Sequence, residues 1–160
     1  MAARSELRPW RSPPDRLAKR NLGLACVSAG ERDQSASRLN EGFRLLAEVQ
    51  AVFPKDPAVL TSLGLVLLRK NVAAEAVRLF GLAVRADPVR ASFRLNLAVA
   101  LHKAGQQDKA VVALERAIEL EPLLEDAYIL LAEIHPKKRR EVLDRYLQLM
   151  PGSIQARLGR

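Results

Sequence analysis

The sequence predicts an all-α protein built from stacked pairs of helices, and three observations lead to this prediction. Pro54, Pro88 and Pro122 follow one another at intervals of 34 residues, and a fixed period of this length is typical of stacked supersecondary units. Between these prolines, apolar residues recur at the three- and four-residue spacing of one helix face. Aromatic residues make up only 4% of the 160 residues, whereas alanine and leucine are abundant, which favours helices over strands.

Each repeating unit is predicted to contain two helices, and units 55–88 and 89–122 align without a gap. Asn71 and Gly105 fall at the predicted turns, and both residue types tolerate the left-handed conformation that ends a helix. Gly64 reduces side-chain bulk where the two helices cross, so they can approach closely. Two runs at helical spacing form the apolar faces of unit 55–88: Leu60, Leu63 and Leu67, then Ala76, Phe80 and Ala83.

The stretch "LTSLGLVL…AVRLFGLAVRADP" resembles the tetratricopeptide repeat (TPR), whose pattern is a W-x2-L-G-x2-Y helix, then A-x3-F and a closing proline at a period of 34. Leu60 stands in the place of the Trp and Leu67 in that of the Tyr. In the next unit Arg94 occupies the Trp-like place, with the neighbouring Phe93 as a candidate substitute. The resemblance implies an α-solenoid, a right-handed superhelix of stacked helix-turn-helix TPR units.

The outer units depart from this period. Leu22 precedes Leu63 by 41 residues, seven more than the period, and we expect the extra residues to lengthen the second helix of the first unit. Pro136 is expected to stop the first helix of the last unit early and to leave a short second helix around 139–150. The predicted organisation is an extended or disordered segment 1–14, a TPR domain 15–151 with units about 15–54, 55–88, 89–122 and 123–151, and a partial capping helix or truncated repeat at 152–160.

The resemblance also implies that the first helix of each unit lines a concave wall. This wall has an apolar centre and polar edges, which suits an amphipathic helix or an extended peptide with apolar anchors and some acidic groups. The alternative is that some of these residues pack against neighbouring repeats or a capping tail. The candidate partner-binding groove comprises Arg20, Leu24, Val27, Ser28, Thr61, Leu65, Leu68, Arg69, Leu95, Asn96, Val99, His102, Lys103, Ile129 and Glu133.

Some members of the resembled family grip a C-terminal carboxylate with Lys, Asn and Arg at defined inward places. Here Asn96 matches one such place, but Ser92, Ser62 and Leu24 stand where other clamp groups are needed. We therefore do not expect a carboxylate clamp.

The net charge of +8 is concentrated in two places. Residues 1–20 carry six basic and two acidic groups, and the run Lys137, Lys138, Arg139 and Arg140 adds four more positive charges, whereas the repeat body is nearly neutral. The run is a candidate anion contact, because clustered cations attract phosphates. Its alternative interpretation is a solvated turn, and the near absence of aromatic residues beside it argues against nucleic acid as a partner.

The sequence shows no pattern typical of catalysis, metal binding or cofactor binding. His102 and His135 belong to no ligand motif, and there is no P-loop and no G-x-G-x-x-G. Cys26, the single cysteine, takes the Tyr-like place of the first unit and is expected to be a small buried hydrophobe. We expect no enzyme activity, no cofactor and no metal.

The function predicted from the sequence is a protein–protein interaction scaffold that binds a peptide or partner protein in the concave groove. One alternative is a structural accessory segment of a larger enzyme or complex, and a weaker one is electrostatic binding of nucleic acid or an acidic surface. Uncapped repeat ends also allow self-association. We expect no membrane partner, and a soluble, by default cytoplasmic, location because this sequence shows neither a signal peptide nor a long apolar run.

Overall fold

The computed structural model describes residues 13–153, and these residues form helices connected by short turns. The segment predicted to be extended lies mostly outside this range, including Trp10, and residues 154–160 of the predicted cap do so as well. The first helix starts at Pro13, two residues before the predicted domain boundary. The helices are α1 (Pro13–Arg32), α2 (Ala36–Gln50), α3 (Pro57–Arg69), α4 (Ala73–Ala86), α5 (Ala91–Lys103), α6 (Gln107–Leu120), α7 (Glu125–Ile134) and α8 (Arg139–Leu149), with a 3₁₀ turn at Pro136–Lys138.

The periodic prolines lie where the repeat pattern predicts. Pro54, Pro88 and Pro122 each fall in the connection between the second helix of one unit and the first helix of the next. Within the units, Asn71 and Gly105 take positive φ angles of 61° and 75°, which confirms that the left-handed conformation ends α3 and α5. The sequence prediction of an all-α fold made of helix pairs is therefore confirmed.

The first unit corrects one expectation. Its seven extra residues do not chiefly lengthen the second helix, since α2 has 15 residues and the equivalent α4 has 14. Instead α1 continues for ten residues beyond Leu22, whereas α3 continues for six beyond Leu63, and the loop after α2 is two residues longer than the loop after α4. Four additional residues are about one helical turn, so α1 keeps its apolar face toward α2 while it grows longer.

In the last unit the effect of Pro136 is as predicted. Helix α7 ends at Ile134 after ten residues, and α8 has eleven. Proline has no backbone N–H and restricts the residue before it, which explains the stop at this point.

The hydrophobic core consists of two clusters that meet between α4 and α5. The N-terminal core cluster extends from Val27 to Ala83 and includes Ala100, and the C-terminal core cluster extends from Ala98 to Tyr146. The buried residues at the meeting point on α5 are small, so less side-chain volume fills this seam than the centre of either cluster. Val77 and Leu97 are half-buried and pack against both clusters.

The helices form two layers with different spacing. The odd-numbered helices contact one another in succession, α1 with α3, α3 with α5 and α5 with α7. No two even-numbered helices of residues 13–153 come within 8 Å of each other in Cα positions. The odd-numbered layer is therefore the inner side of the curved stack, and the even-numbered layer is splayed on the outer side.

Close contact between paired helices predicts that replacement of two glycines by alanine has opposite effects on stability. A Cβ on Gly64 would lie 2.7 Å from the ring of Phe80, whereas a Cβ on Gly81 would meet nothing within 4 Å. We expect Gly64→Ala to lower the free energy of unfolding by about 1–3 kcal/mol through overpacking. Gly81→Ala should raise it by about 0.5–1 kcal/mol, because alanine is the better helix former.

Urea unfolding followed by circular dichroism at both positions measures the two changes. A stable Gly64→Ala protein would contradict the close packing described for α3 and α4.

Candidate functional site

The predicted groove residues lie on α1, α3, α5 and α7, the helices of the inner layer. We call the solvent-facing side of this layer the inner wall. Its apolar members are only half-buried: Leu24, Leu65, Leu68, Leu95, Val99 and Ile129. Its polar and charged members Arg20, Thr61, Asn96 and His102 are half-buried too, while Ser28, Arg69, Lys103 and Glu133 are exposed. The binding role of these residues stays a prediction.

Val27 is an exception and does not line the wall. Its side chain is 1% exposed and packs in the N-terminal core cluster. A Cβ on Gly42 would lie only 2.7 Å from its Cγ2. Gly42 has no side chain, so α2 approaches α1 closely at this point and covers Val27. Cys26, expected to be buried, is partly exposed as a free thiol.

The first three inner helices enclose a depression of about 660 Å³. Arg20, Leu24, Ser28 and Thr61 were predicted as site residues and line it together. The other predicted residues lie farther along the wall on α3, α5 and α7. Residues outside the predicted groove also line the depression: Asp56, Pro57, Ala58, Ser62, Asp87, Arg90 and Phe93.

Several of the missed residues belong to connections between units, and a sequence signal existed for one of them. Asp56 followed by Pro57 is typical of a helix start, with the acidic residue as N-cap and proline at the first helical position. In the structure the Asp56 carboxylate accepts hydrogen bonds from the backbone N–H groups of Ala58 and Val59. Capping thus fixes the side chain at the edge of the depression.

Arg20 connects α1 to this cap. Its Nε donates to Asp56 Oδ2 at 2.5 Å and its Nη2 donates to Oδ1 at 3.2 Å, a two-bond pairing across the first two units. Partial burial alone raises the pKa of the Asp56 carboxyl. The hydrogen bonds from Arg20, Val59 and Ala58 and the charge of Arg20 outweigh it, so the pKa lies below its ordinary 3.8. Asp56 therefore stays ionised and Arg20 is held in place.

Arg90 and Phe93 form the opposite edge of the depression. Arg90 Nε donates to Asp87 Oδ2 at 2.9 Å, and its guanidinium carbon lies 5.3 Å from the centre of the Phe93 ring. Since Phe93 lies on the inner side, it does not take the Trp-like place that the sequence left open for it. Arg94 lies elsewhere and donates to the Pro88 carbonyl oxygen at 3.0 Å.

The remaining candidate residues lie toward the ends of helices. His102 Nδ1 is 2.8 Å from Gln107 Oε1, so its ring contacts the start of α6. The basic run occupies the 3₁₀ turn and the first residues of α8, and all four side chains are exposed. Three of them, Lys137, Lys138 and Arg140, line an outer depression of about 760 Å³ together with Glu115, Glu141 and Asp144. Acidic groups thus alternate with the cations there.

Two negative findings concern the described range alone. Within residues 13–153, no three His, Cys, Asp or Glu side chains are grouped so that they could hold a metal ion. No helix in that range combines the length and apolar character needed to cross a bilayer.

Comparison with known proteins identifies the fold. The structure is similar to that of MamA 41-end from Desulfovibrio magneticus RS-1, with a TM-score of 0.72 and 18% identity over 86% of this chain and 75% of that one. It is also similar to the first TPR of Spaghetti (RPAP3) bound to the HSP90 peptide SRMEEVD, with a TM-score of 0.63 and 20% identity over 73% of this chain and 93% of that one. The chain has the TPR fold.

A third structure shares this fold as part of a longer protein. The O-GlcNAc transferase mutant K341M of Thermobaculum terrenum matches 83% of this chain with a TM-score of 0.71 and 23% identity. The present chain spans about a quarter of that protein, 26% of its length. No family model matches the sequence, and comparison with curated proteins gives no match either.

The ion pair between Arg20 and Asp56 predicts that removal of the Asp56 charge lowers the stability of the fold. Asn is as good an N-cap as Asp, so Asp56→Asn removes the charge that binds Arg20 while it keeps the cap. We expect this variant to be less stable than the wild type at neutral pH, and Asp56→Ala to lose about 0.5–2 kcal/mol more through the missing cap.

The pH dependence of unfolding provides the measurement. A carboxyl whose folded pKa is lowered stabilises the fold above its unfolded pKa, and this contribution is lost as pH falls through the folded pKa. The difference between wild type and Asp56→Asn in urea unfolding should therefore shrink below pH 3.8. A difference that stays constant with pH would contradict the role given to the ion pair.

Proposed function

We propose that this chain is a non-enzymatic interaction scaffold that binds an extended peptide of a partner protein along its inner wall. The observation that carries the proposal is the continuous set of half-buried apolar side chains on α1, α3, α5 and α7, which the even-numbered layer does not cover. Apolar pockets bordered by a few polar groups are the common form of a peptide site.

One of the similar structures supports this proposal. The RPAP3 repeat domain is described as bound to a short HSP90 peptide, and this chain covers 93% of that domain. A clamp for a terminal carboxylate is not expected here, since Ser62, Ser92 and Leu24 provide no cation. We therefore propose recognition of internal residues of the peptide rather than of its end.

Charge at one edge of the wall indicates which peptides bind. Arg69 and Lys103 are the last residues of α3 and α5, and both are exposed. Neither is paired with a carboxylate within the part of the chain that the structure describes. Cations at helix C-termini interact favourably with the negative end of the helix dipole, and here they also attract acidic side chains of a ligand. The proposed peptide carries apolar anchors for Leu65, Leu68 and Val99 and acidic groups toward this edge.

One alternative has support of its own. The chain resembles about a quarter of an O-GlcNAc transferase, so it can also be the accessory repeat segment of a larger enzyme, with catalysis elsewhere. Mapping the full open reading frame around the sequence decides between an independent scaffold and such a segment. A reading frame that continues into a catalytic domain would support the alternative.

Peptides selected from a display library on the immobilised protein provide a direct test of the scaffold proposal. We expect selected peptides to bind with a Kd in the micromolar range, near −8 kcal/mol as an order of magnitude. Leu68→Asp should weaken binding by about tenfold or more, because it places a charge among the apolar anchors. Fluorescence polarisation with the labelled peptide measures this change.

Because Leu68 packs against the core, a second variant protects the test from misfolding. Arg69→Glu combined with Lys103→Glu changes only exposed side chains, and it should weaken acidic peptides while circular dichroism stays unchanged. Val112→Asp, on the outer layer and 69% exposed, is the control that should bind normally. The proposal fails if both wall variants retain wild-type affinity.

A further inference from the structure

A second recognition surface lies on the opposite side of the molecule, between the outer helices α4 and α6. We call it the outer groove. It has a volume of about 810 Å³, its walls are α4 and α6, and its floor is the outward side of α5. This volume falls within the range of about 300–1,000 Å³ that is typical of ligand sites.

The groove exists because two positions depart from the repeat pattern. Leu60, at the Trp-like place of the preceding unit, is fully buried, whereas Arg94, 34 residues later, is half-buried and lines the groove. On α4, Gly81 also lines it, and a Cβ at this position would meet nothing within 4 Å. Arg94 is directed to the Pro88 carbonyl, and Gly81 has no side chain. Together they leave space that larger apolar residues would fill.

The floor of the groove is apolar and lies over the seam between the two core clusters. Val77 and Leu97, which pack against both core clusters, line the groove and are only half-buried. Val112 on α6 is 69% exposed and belongs to the same surface. An apolar partner seated here would cover these side chains and contact both halves of the core.

The cations around the groove exceed the carboxylates that pair with them. Arg78 is paired with Glu75, and Arg116 with Glu119. Arg85, Arg94 and Lys109 also line the groove. Among residues 13–153, Arg94 and Lys109 bond only to neutral oxygens, of Pro88 and Gln106, and Arg85 has no carboxylate partner. The groove therefore combines an apolar floor with unneutralised positive charge.

We propose that the outer groove binds an acidic amphipathic helix of a partner protein. A helix fits because the gap runs between the 14-residue outer helices of two successive units, each about 21 Å long, and the ridges of a third helix can enter such a gap. Acidic side chains beside its apolar stripe would meet Arg85, Arg94 and Lys109.

Charge argues against an occupant from this chain. Residues 1–12 carry three arginines and one glutamate, and residues 154–160 carry two arginines and no acidic group, so both termini would be repelled. A second copy offers the acidic helix α7, but its apolar face is buried in the C-terminal core cluster. A separate acidic partner remains the occupant that the charges favour.

The test uses synthetic helical peptides of known chemistry. One labelled peptide of about 16 residues, about 24 Å long as a helix, carries a leucine stripe and glutamates elsewhere, and its twin carries lysines in place of the glutamates. We expect the glutamate peptide to bind at least about tenfold tighter at physiological ionic strength. Equal affinity of the two peptides would overturn the proposal.

Two matched pairs of variants distinguish binding in the groove from nonspecific electrostatic attraction to a basic chain. Val112→Asp should lower the affinity for the glutamate peptide about tenfold. Val89→Asp, at a valine that is 72% exposed and outside the groove, should change this affinity by less than about twofold. Arg85→Glu and Arg32→Glu form the equivalent pair for charge. Equal losses within either pair would overturn the proposal.

The location of the peptide provides the final readout. Backbone amide shifts in NMR spectra should change at Val77, Gly81 and Val112 when the glutamate peptide is added. Shifts centred on Leu65 and Leu95 would place the peptide on the inner wall and overturn the proposal. Sedimentation would show self-association as a dependence on protein concentration. If Val112→Asp abolished this dependence, the occupant would be a second copy of the chain, and the proposal would be overturned.

This inference does not depend on the proposed inner-wall function. Leu68→Asp should leave the glutamate peptide bound normally, and Val112→Asp should leave inner-wall peptides bound normally. Failure of one site is thus distinguishable from failure of the other.

Discussion

The close approach of the two helices within each pair is the constraint on which the rest of the structure depends. At Gly64 the backbone of α3 comes so near the Phe80 ring that even a Cβ would overlap it. Gly23, Gly30 and Gly42 bring α1 and α2 together in the same manner. Once each pair is closed in this way, its remaining apolar side chains can be buried only by the next pair, and stacking follows.

Stacking produces two surfaces with different character. Because the odd-numbered helices contact one another in succession, they form a continuous wall on which half-buried leucines and valines are shared between units. The even-numbered helices are splayed, and the spaces between them form separate grooves. The inner wall therefore favours a ligand that extends across several units, and an outer groove favours one that lies between two.

Departures from the repeat pattern locate the features that distinguish this chain. Arg94 in a Trp-like place opens the outer groove, and Asp56, in a loop two residues longer than its equivalent after α4, pairs with Arg20. Such positions add little to the helix-pair architecture, since α5 and α3 form normally on either side of them. Their effect is on the shape and charge of the surface.

The sequence by itself determined the helix pairs, because proline spacing, turn residues such as Asn71 and apolar periodicity act over short distances along the chain. Most of the inner-wall residues could be predicted for the same reason, since the repeat period carries their positions from unit to unit. The tertiary structure alone decided the position of Val27, which is covered by the close approach of α2 at Gly42, and the side on which Phe93 and Arg94 lie. It also decided the outer groove, since its walls come from residues far apart in the chain and its width depends on how strongly the stacked pairs splay.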